Sequence, residues 1–374
     1  MYMKKAYTLS KLRIAERGNM SKSKKKYLPV VLLGIACIAL LTTYIIISNN
    51  KKEDKEPIGE PIQKSSFLLN TIITITLYDS QDEGIIDGAM ELIGEYEKVY
   101  SRTMETSEVY KLNHGTLEKA KGGNYSYRIS DTLADILEKS LYYGNLSEGR
   151  FDITIEPITA QWDFISENAV IPEKNDLETA LPLVDYKNLI LRDNTVTFLK
   201  EGMGIDLGAI AKGYIADRVK EYLLEQGVKS AMINLGGNVL AVGKKPGGEA
   251  FKVGIQKPFA GRNEIVAAMD IDGKSVVSSG IYERYIKKED NFYHHIIDPS
   301  TGYPYKNDLI AVTIISNKSV DGDGLSTSCF ALGLEKGMEL IESLEDTYAI
   351  FITDDYELHY TKGFFDNIKV TEVK

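Results

Sequence analysis

A stretch of 20 uncharged residues, 28–47, divides the chain into two parts that must fold in different surroundings. An α-helix of this length spans the hydrocarbon core of a bilayer, because it rises about 1.5 Å per residue. Four lysines, at 22 and 24–26, stand just before it, and such a positive flank stays in the cytoplasm. The sequence therefore predicts a basic cytoplasmic segment (1–27), a transmembrane or signal-anchor helix (28–47), a polar linker (48–64) and a domain outside the cytoplasm (65–374).

Two cysteines bear on how the chain is anchored and on its redox chemistry. Residues 34–37, Gly-Ile-Ala-Cys, partly resemble a bacterial lipoprotein cleavage site, but the apolar run continues well past Cys37. We therefore expect a retained anchor, with cleavage and lipidation at Cys37 as the alternative. The other cysteine, Cys329, is the single thiol of the exported domain, so an internal disulfide and a cysteine-based metal site are both excluded there.

Charge is distributed unevenly along the chain. Residues 1–52 hold 11 Lys and Arg against one acidic residue, Glu16, which leaves 33 basic and 53 acidic residues in the remainder. A domain this acidic lacks the basic surface that nucleic-acid binding requires. It would also be repelled by anionic lipid headgroups, so we expect membrane contact through the N-terminal anchor alone.

Hydrophobic periodicity predicts strands and helices without a steady βαβ alternation. Helices are expected at 83–99, after an N-cap at Ser130, at 207–226 and at 324–344. Segments rich in β-branched residues predict strands at 71–78, 231–235, 251–255, 265–271, 310–315 and 348–353. This order favours an α+β architecture with mixed or antiparallel sheets and flanking helices.

The segment DGDGLST, residues 321–327, carries the most informative local pattern. We expect Asp323 to cap the helix that follows, with Thr327, four residues on, on the same face within about 6 Å. A carboxylate and a hydroxyl so placed can bind one hard cation through oxygen, and the helix N-terminus offers N–H groups to a phosphate. By spacing alone, the more frequent interpretation is an ordinary Asp N-cap with a first-turn threonine.

Residues 202–213, GMGIDLGAIAKG, form a glycine-rich turn that opens a helix. Lys212 falls in the first helical turn, where a positive charge opposes the helix dipole, and this conflict indicates an anionic partner. A solvated lysine is the alternative. The spacing matches neither the dinucleotide-binding fingerprint nor the phosphate loop of NTPases.

Half of the four histidines stand at 294–295, directly before the turn sequence Asp-Pro-Ser-Thr-Gly. His295 could act as a general acid or base near neutral pH, although a hydrogen-bonded structural histidine is the more frequent case. Two further segments, 149–157 and the loop at 234–238, are individually typical of turn and core.

Taken together and in chain order, these segments resemble the ApbE family of FAD:protein FMN transferases over residues 65–362. The matching segments are FDIT at 151–154 with Trp162, IDLGAIAKG at 205–213, NLGG at 234–237, SGIYER at 279–284, HHIIDPSTG at 294–302 and DGLST at 323–327. Each motif is weak alone, whereas an ordered series of them is specific.

The resemblance implies roles for individual residues. The implied ligands of a Mg²⁺ ion are Ala209, through its carbonyl, Asp323, Ser326 and Thr327. The implied catalytic residues are His295, as acid or base, Asp323 and Lys212. The implied contacts of FAD are Asn70, Thr103, Arg150, Phe151, Asp152, Asp206, Lys212 and Ile296. Two of these depart from the family pattern, because Leu69-Asn70-Thr71 replaces an MGT segment and Thr103 stands where tyrosine is frequent.

The reaction that the resemblance implies is Mg²⁺-assisted cleavage of the FAD pyrophosphate. A Thr or Ser hydroxyl of a separate flavoprotein would attack the phosphorus of the FMN half, and AMP would leave. The chain itself has no convincing acceptor motif, so the acceptor is expected to be a partner. Two alternatives stay open: an FAD pyrophosphatase, in which water replaces the hydroxyl, and a non-catalytic flavin-binding lipoprotein.

Overall fold

The strands and helices of the computed structural model are numbered in chain order over the residues that it describes, 59–166, 169–261, 264–289 and 291–373. The strands β1 to β16 are Ile62–Leu68, Thr71–Leu77, Ser126–Arg128, Leu189–Arg192, Thr195–Phe198, Ala231–Leu235, Asn238–Val242, Phe251–Gln256, Ile265–Ile271, Ser275–Gly280, Tyr285–Lys288, Asn291–His294, Leu309–Ser316, Tyr348–Thr353, Leu358–Tyr360 and Lys369–Val373. The helices α1 to α9 are Glu83–Tyr100, Glu108–Asn113, Asp131–Leu146, Glu156–Thr159, Lys174–Ala180, Ala211–Glu225, Ser319–Leu332, Leu334–Glu342 and Phe364–Asn367.

The predicted cytoplasmic segment and membrane helix, residues 1–47, lie outside the described residues. Within the ranges that are described, no helix is long and apolar enough to cross a bilayer. The linker prediction, 48–64, overlaps the structure at its end, because β1 already begins at Ile62. That strand lies at the edge of its sheet and alternates half-buried and exposed residues. Its sequence is therefore as polar as that of a linker, and the pattern does not distinguish the two.

The central sheet has eight strands in the order β1-β2-β6-β7-β10-β13-β14-β15, and every neighbouring pair is antiparallel. Helices α1, α6 and α7 cover one face, where the apolar residues of the sheet are fully buried. The sheet β16-β9-β8 covers part of the other face, where its residues Phe251 and Met269 lie in one buried cluster with Ile315 of β13. The α+β prediction is therefore confirmed, with antiparallel rather than mixed pairing in the named sheets.

The β1–β2 hairpin closes with the two-residue turn Leu69-Asn70. Both residues have positive φ, 54° and 55°, which is the backbone of a type I′ turn and suits the right-handed twist of the flanking strands. Asn70, an implied FAD contact, thus has a structural reason to be asparagine, since asparagine tolerates this conformation better than most residues. β2 occupies Thr71–Leu77, as its run of β-branched residues predicts.

Two helices begin where the sequence predicts, and two do not. Helix α1 begins at Glu83 as predicted, with Asp82 as its side-chain cap, and Ser130 caps α3 as the sequence predicts. Helix α6 begins at Ala211, four residues later than predicted, because residues 208–210 form a turn before it.

The prediction for the last long helix, with Asp323 as its cap, is wrong. Helix α7 begins at Ser319, and Gly333, with a φ of 83°, separates it from α8. The cap comes from another helix: the Asp217 carboxylate of α6 accepts the N–H groups of Ser319 and Val320, at 2.8 and 2.9 Å. Burial raises the Asp217 pKa to about 6. Because a carboxylate of the chain already occupies this helix N-terminus, the predicted phosphate contact there does not hold.

Candidate active site

Helices α6 and α7 meet at Gly213 with almost no space between their backbones. A Cβ at Gly213 would lie 2.2 Å from the Ser319 carbonyl oxygen. The Gly213 N–H donates to Asp323 Oδ2 at 2.6 Å instead of to the carbonyl four residues earlier, that of Ala209. Among the described residues none donates a hydrogen bond to the Ala209 carbonyl, so this oxygen is available to another ligand.

Asp323 is buried one turn into α7, with 6% of its surface exposed. Its second carboxylate oxygen, Oδ1, accepts from the side-chain amide of Asn238 at 3.0 Å. Burial raises the Asp323 pKa above its usual value, and the positive charge of Lys212 and the two hydrogen bonds oppose that shift. The site thus holds a buried carboxylate whose ionised form would be favoured further by an added cation.

Three hydroxyls extend the site along α7 toward the end of β10. Ser279 Oγ lies 2.8 Å from Ser326 Oγ and 3.3 Å from Thr327 Oγ1. Ser326 is fully buried, while Thr327 is partly exposed. Thr327 stands four residues after Asp323 in the same helix, so the two side chains share one face, as the sequence predicts.

The donor set at this junction fits Mg²⁺. It offers one carboxylate, one free backbone carbonyl and a hydroxyl, all hard oxygen ligands, and Mg²⁺ completes such a set with waters or phosphate oxygens. Within the described ranges there is no cluster of three or more His, Cys, Asp or Glu side chains that could hold a metal ion. The site described above has a single carboxylate and neutral oxygen ligands beside it, and it suits an ion that is bound together with substrate phosphates.

The two adjacent histidines differ in their surroundings. His294 is buried, accepts the Ile296 N–H at Nδ1 and lies 3.0 Å from the Tyr305 carbonyl through Nε2, so it is a structural residue. His295 is half-buried, and its Nδ1 lies 3.2 Å from the Arg284 carbonyl. Because a carbonyl only accepts, this contact assigns the proton to Nδ1 and leaves the lone pair on Nε2.

The charge of Lys212 acts on both His295 and Asp323. Desolvation, and next the positive charge of Arg284, lower the His295 pKa well below its usual value, and Lys212 lowers it further. The same lysine opposes the raised pKa of Asp323. Lys212, the second residue of α6, therefore lies near both predicted catalytic groups, and His295 is neutral in the absence of a ligand.

Asp206 belongs to a separate polar cluster beside the start of α6. Its Oδ2 lies 3.0 Å from Arg102 Nε and accepts the Thr159 hydroxyl at 2.8 Å. Its Oδ1 accepts the Gly208 N–H at 2.9 Å, which shapes the turn that presents Ala209. The carboxylate thus fixes this turn whether or not it also contacts a ligand.

The remaining implied FAD contacts fall into two groups. Phe151 and Ile296 are buried and Asp152 is half-buried: Phe151 packs edge-on against Tyr143, and both Asp152 oxygens accept hydrogen bonds from nearby residues. Asn70, Thr103 and Arg150 are exposed. A flavin could therefore reach the second group directly, whereas the first group supports the surrounding fold.

Asn238 and Ser279 are polar residues of the site to which the sequence assigned no role. Asn238 ends the segment NLGGN, which is typical of a turn, and Ser279 begins SGIYER, one of the motifs that carry the resemblance. Their contacts depend on strand register, because β10 pairs with β7 through Val276 and Val239 and so places both residues beside α7. Such a register is not visible in the local sequence.

Comparison with known proteins bears on the identity of this site. The ApbE family model matches residues 69–352. The chain is 36% identical over 296 residues to an FAD:protein FMN transferase of Klebsiella pneumoniae (strain 342), covering 79% of this chain and 90% of that relative. It is 30% identical over 330 residues to an FAD:protein FMN transferase of Treponema pallidum (strain Nichols), covering 83% and 90%. Its structure is similar to that of the ApbE protein from Thermotoga maritima, with a TM-score of 0.73 and 27% identity, covering 82% of this chain and 98% of that one.

Proposed function

The chain belongs to the ApbE family and is a transferase, and on that premise we propose that it cleaves FAD with the help of Mg²⁺, joins the FMN half to a Thr or Ser hydroxyl of a separate flavoprotein and releases AMP. The observation that carries this proposal is the meeting of α6 and α7. There the free Ala209 carbonyl comes from the turn that precedes α6, and the buried Asp323 carboxylate and the Thr327 hydroxyl come from α7, with Lys212 beside them.

The proposed roles follow from what each group can do. A bound Mg²⁺ would offset charge on the pyrophosphate oxygens. Ala209, Asp323 and Thr327 would hold it, with Ser326 next to Thr327. The Lys212 ammonium adds a positive charge where the leaving phosphate develops negative charge.

The transfer step is a displacement at the phosphorus of the FMN half. A bond forms between the acceptor hydroxyl oxygen and this phosphorus, and the bond from the phosphorus to the bridging oxygen breaks. AMP leaves with the bridging oxygen. His295 carries a lone pair on Nε2 and is neutral, so it can take the proton of the attacking hydroxyl.

We also propose that the enzyme works outside the cytoplasm, held at the membrane by residues 28–47. The support is the uncharged length of this segment and the lysines that precede it. A tether of this kind would place the acidic domain next to membrane-bound or exported flavoproteins.

The test uses the full-length chain in detergent with FAD, Mg²⁺ and an exported flavoprotein as acceptor. We expect the intact mass of the acceptor to rise by one FMN less one water, with one AMP released per acceptor modified. AMP release together with free FMN and an unmodified acceptor would indicate the pyrophosphatase. FAD binding without any AMP would indicate a flavin carrier and would refute the proposal.

A further inference from the structure

A chain of hydrogen bonds runs from the central sheet to the Asp323 carboxylate. The Ser275 hydroxyl of β10 donates to Ser319 Oγ at 3.1 Å, and the Ser319 hydroxyl donates to Asn238 Oδ1 at 2.6 Å. The Asn238 amide then donates to Asp323 Oδ1 at 3.0 Å. All four side chains are buried, with no more than 6% of their surface exposed.

The chain has one direction, and that direction fixes the amide of Asn238. A flipped amide would point its oxygen at the carboxylate and its NH₂ group at the Ser319 hydroxyl. The observed orientation lets every hydroxyl and the amide donate toward the carboxylate, and bonds aligned in this way polarise one another. If the Asn238 amide turned away from Asp323, the buried Ser319 hydroxyl would lose its acceptor, and that loss is costly.

The two carboxylate oxygens of Asp323 are held from opposite elements. Oδ2 accepts the Gly213 N–H of α6, and Oδ1 accepts the amide of Asn238 at the start of β7. An ionised carboxylate has about four lone-pair sites, so each oxygen keeps one site for a cation after these bonds. Because each oxygen accepts one of these hydrogen bonds, the rotation of the carboxylate about its Cβ–Cγ bond is fixed.

We propose that Asn238 is a positioning residue for the metal site: its amide, aligned by Ser319 and Ser275, orients the Asp323 carboxylate toward the cation. This inference rests on the proposed function, since it presumes that Asp323 binds Mg²⁺. Groups that orient metal ligands in this way typically account for about 10- to 100-fold of the metal affinity. A purely structural Asn238 would instead affect the melting temperature and leave the affinity unchanged.

The experiment measures Mg²⁺ affinity of the full-length chain in detergent, without FAD, by isothermal titration calorimetry. Asn238→Leu keeps the branched shape of the side chain and removes the donor, and we expect Mg²⁺ to bind about 10- to 100-fold more weakly. Ser319→Ala leaves the amide in place but frees its orientation, and a smaller, several-fold loss is expected. Ser278→Ala is the matched control. Ser278 lies on β10, the strand of Ser275, but its hydroxyl is bonded to Thr313, so the Mg²⁺ affinity of this variant should equal that of the wild type.

The outcomes separate this inference from the proposed function. If Asp323→Asn binds Mg²⁺ as tightly as the wild type, the proposed metal site is refuted. If Asp323→Asn loses binding but Asn238→Leu stays within about twofold of the wild type, only the positioning role of Asn238 is overturned. Where Asn238→Leu gives no cooperative melt, Ser319→Ala decides: a several-fold loss supports the role, and an unchanged affinity overturns it.

Discussion

Replacing Gly213 with alanine should force α6 and α7 apart. The added Cβ would lie 2.2 Å from the Ser319 carbonyl oxygen, 2.7 Å from its carbonyl carbon and 2.9 Å from the Val320 Cα. These are backbone atoms and cannot rotate out of the way, so one helix has to move. The hydrogen bond from the Gly213 N–H to Asp323 would lengthen or break at the same time.

The cost can be worked from these contacts. Overpacking costs about 1–3 kcal/mol, and the loss of a hydrogen bond to a charged group costs about 1.5–3 kcal/mol. Alanine returns about 1 kcal/mol through its higher helix propensity. The net loss is therefore about 1.5–5 kcal/mol of unfolding free energy, which lowers Tm by roughly 2–8 °C for a domain of this size. Because the Gly213 N–H would no longer hold Asp323 beside the turn that carries Ala209, Mg²⁺-dependent AMP release should fall as well.

Thermal unfolding followed by the fluorescence of Trp162, the single tryptophan, measures the effect. The control is Gly94→Ala in α1, because a Cβ at Gly94 meets nothing within 4 Å. We expect this control to keep or slightly raise Tm. If Gly213→Ala melts at the same temperature as Gly94→Ala and releases AMP at the wild-type rate, the close approach of the two helices is not what forms the site.

Three further predictions test single groups. Asp323→Asn should keep FAD binding, measured by flavin fluorescence, and reduce Mg²⁺-dependent AMP release by about 10²- to 10³-fold; a rate near that of the wild type would contradict the role of this carboxylate. Burial, with the nearby Arg284, holds the pKa of His295 well below its usual value, so AMP release should not show an inflection near pH 6.5, whereas His295→Gln should slow it about 10²- to 10⁴-fold. Burial raises the pKa of Asp217 from its ordinary value of 3.8 to about 6, so this group destabilises the fold as pH rises from about 4 to 6, by up to about 3 kcal/mol. Urea unfolding of Asp217→Asn at pH 4 and pH 7 should therefore show the variant gaining on the wild type at the higher pH, and an equal difference at both values would refute the raised pKa.

The strands were the part of the fold that the sequence specified best. Ala231–Leu235, Ile265–Ile271 and Tyr348–Thr353 begin and end where their apolar and β-branched residues predict, because buried strands need little beyond that composition. The start of α7 was missed for a tertiary reason. Its N-cap, Lys318, makes no side-chain cap, and the capping carboxylate of Asp217 comes from 102 residues earlier in the chain.

The site was predictable where it depends on helix spacing and not where it depends on strand register. Asp323 and Thr327 are four residues apart in one helix, so their common face follows from the sequence alone. Asn238 and Ser279 reach the same site from two strands, and nothing local marks either residue as a partner of α7. The freed carbonyl of Ala209 likewise depends on Asp323 taking the Gly213 N–H, a contact between residues 110 apart.

The central claim is that the junction of α6 and α7 binds a divalent ion that drives FMN transfer to a protein hydroxyl. Intact-mass measurement of an acceptor flavoprotein, incubated with FAD, Mg²⁺ and either the wild-type chain or Asp323→Asn, tests it most directly. The account predicts that the wild type adds one FMN less one water to the acceptor, that chelating Mg²⁺ prevents this addition, and that the variant adds almost none. Equal modification by the wild type and Asp323→Asn, or modification that persists with the metal removed, would contradict it.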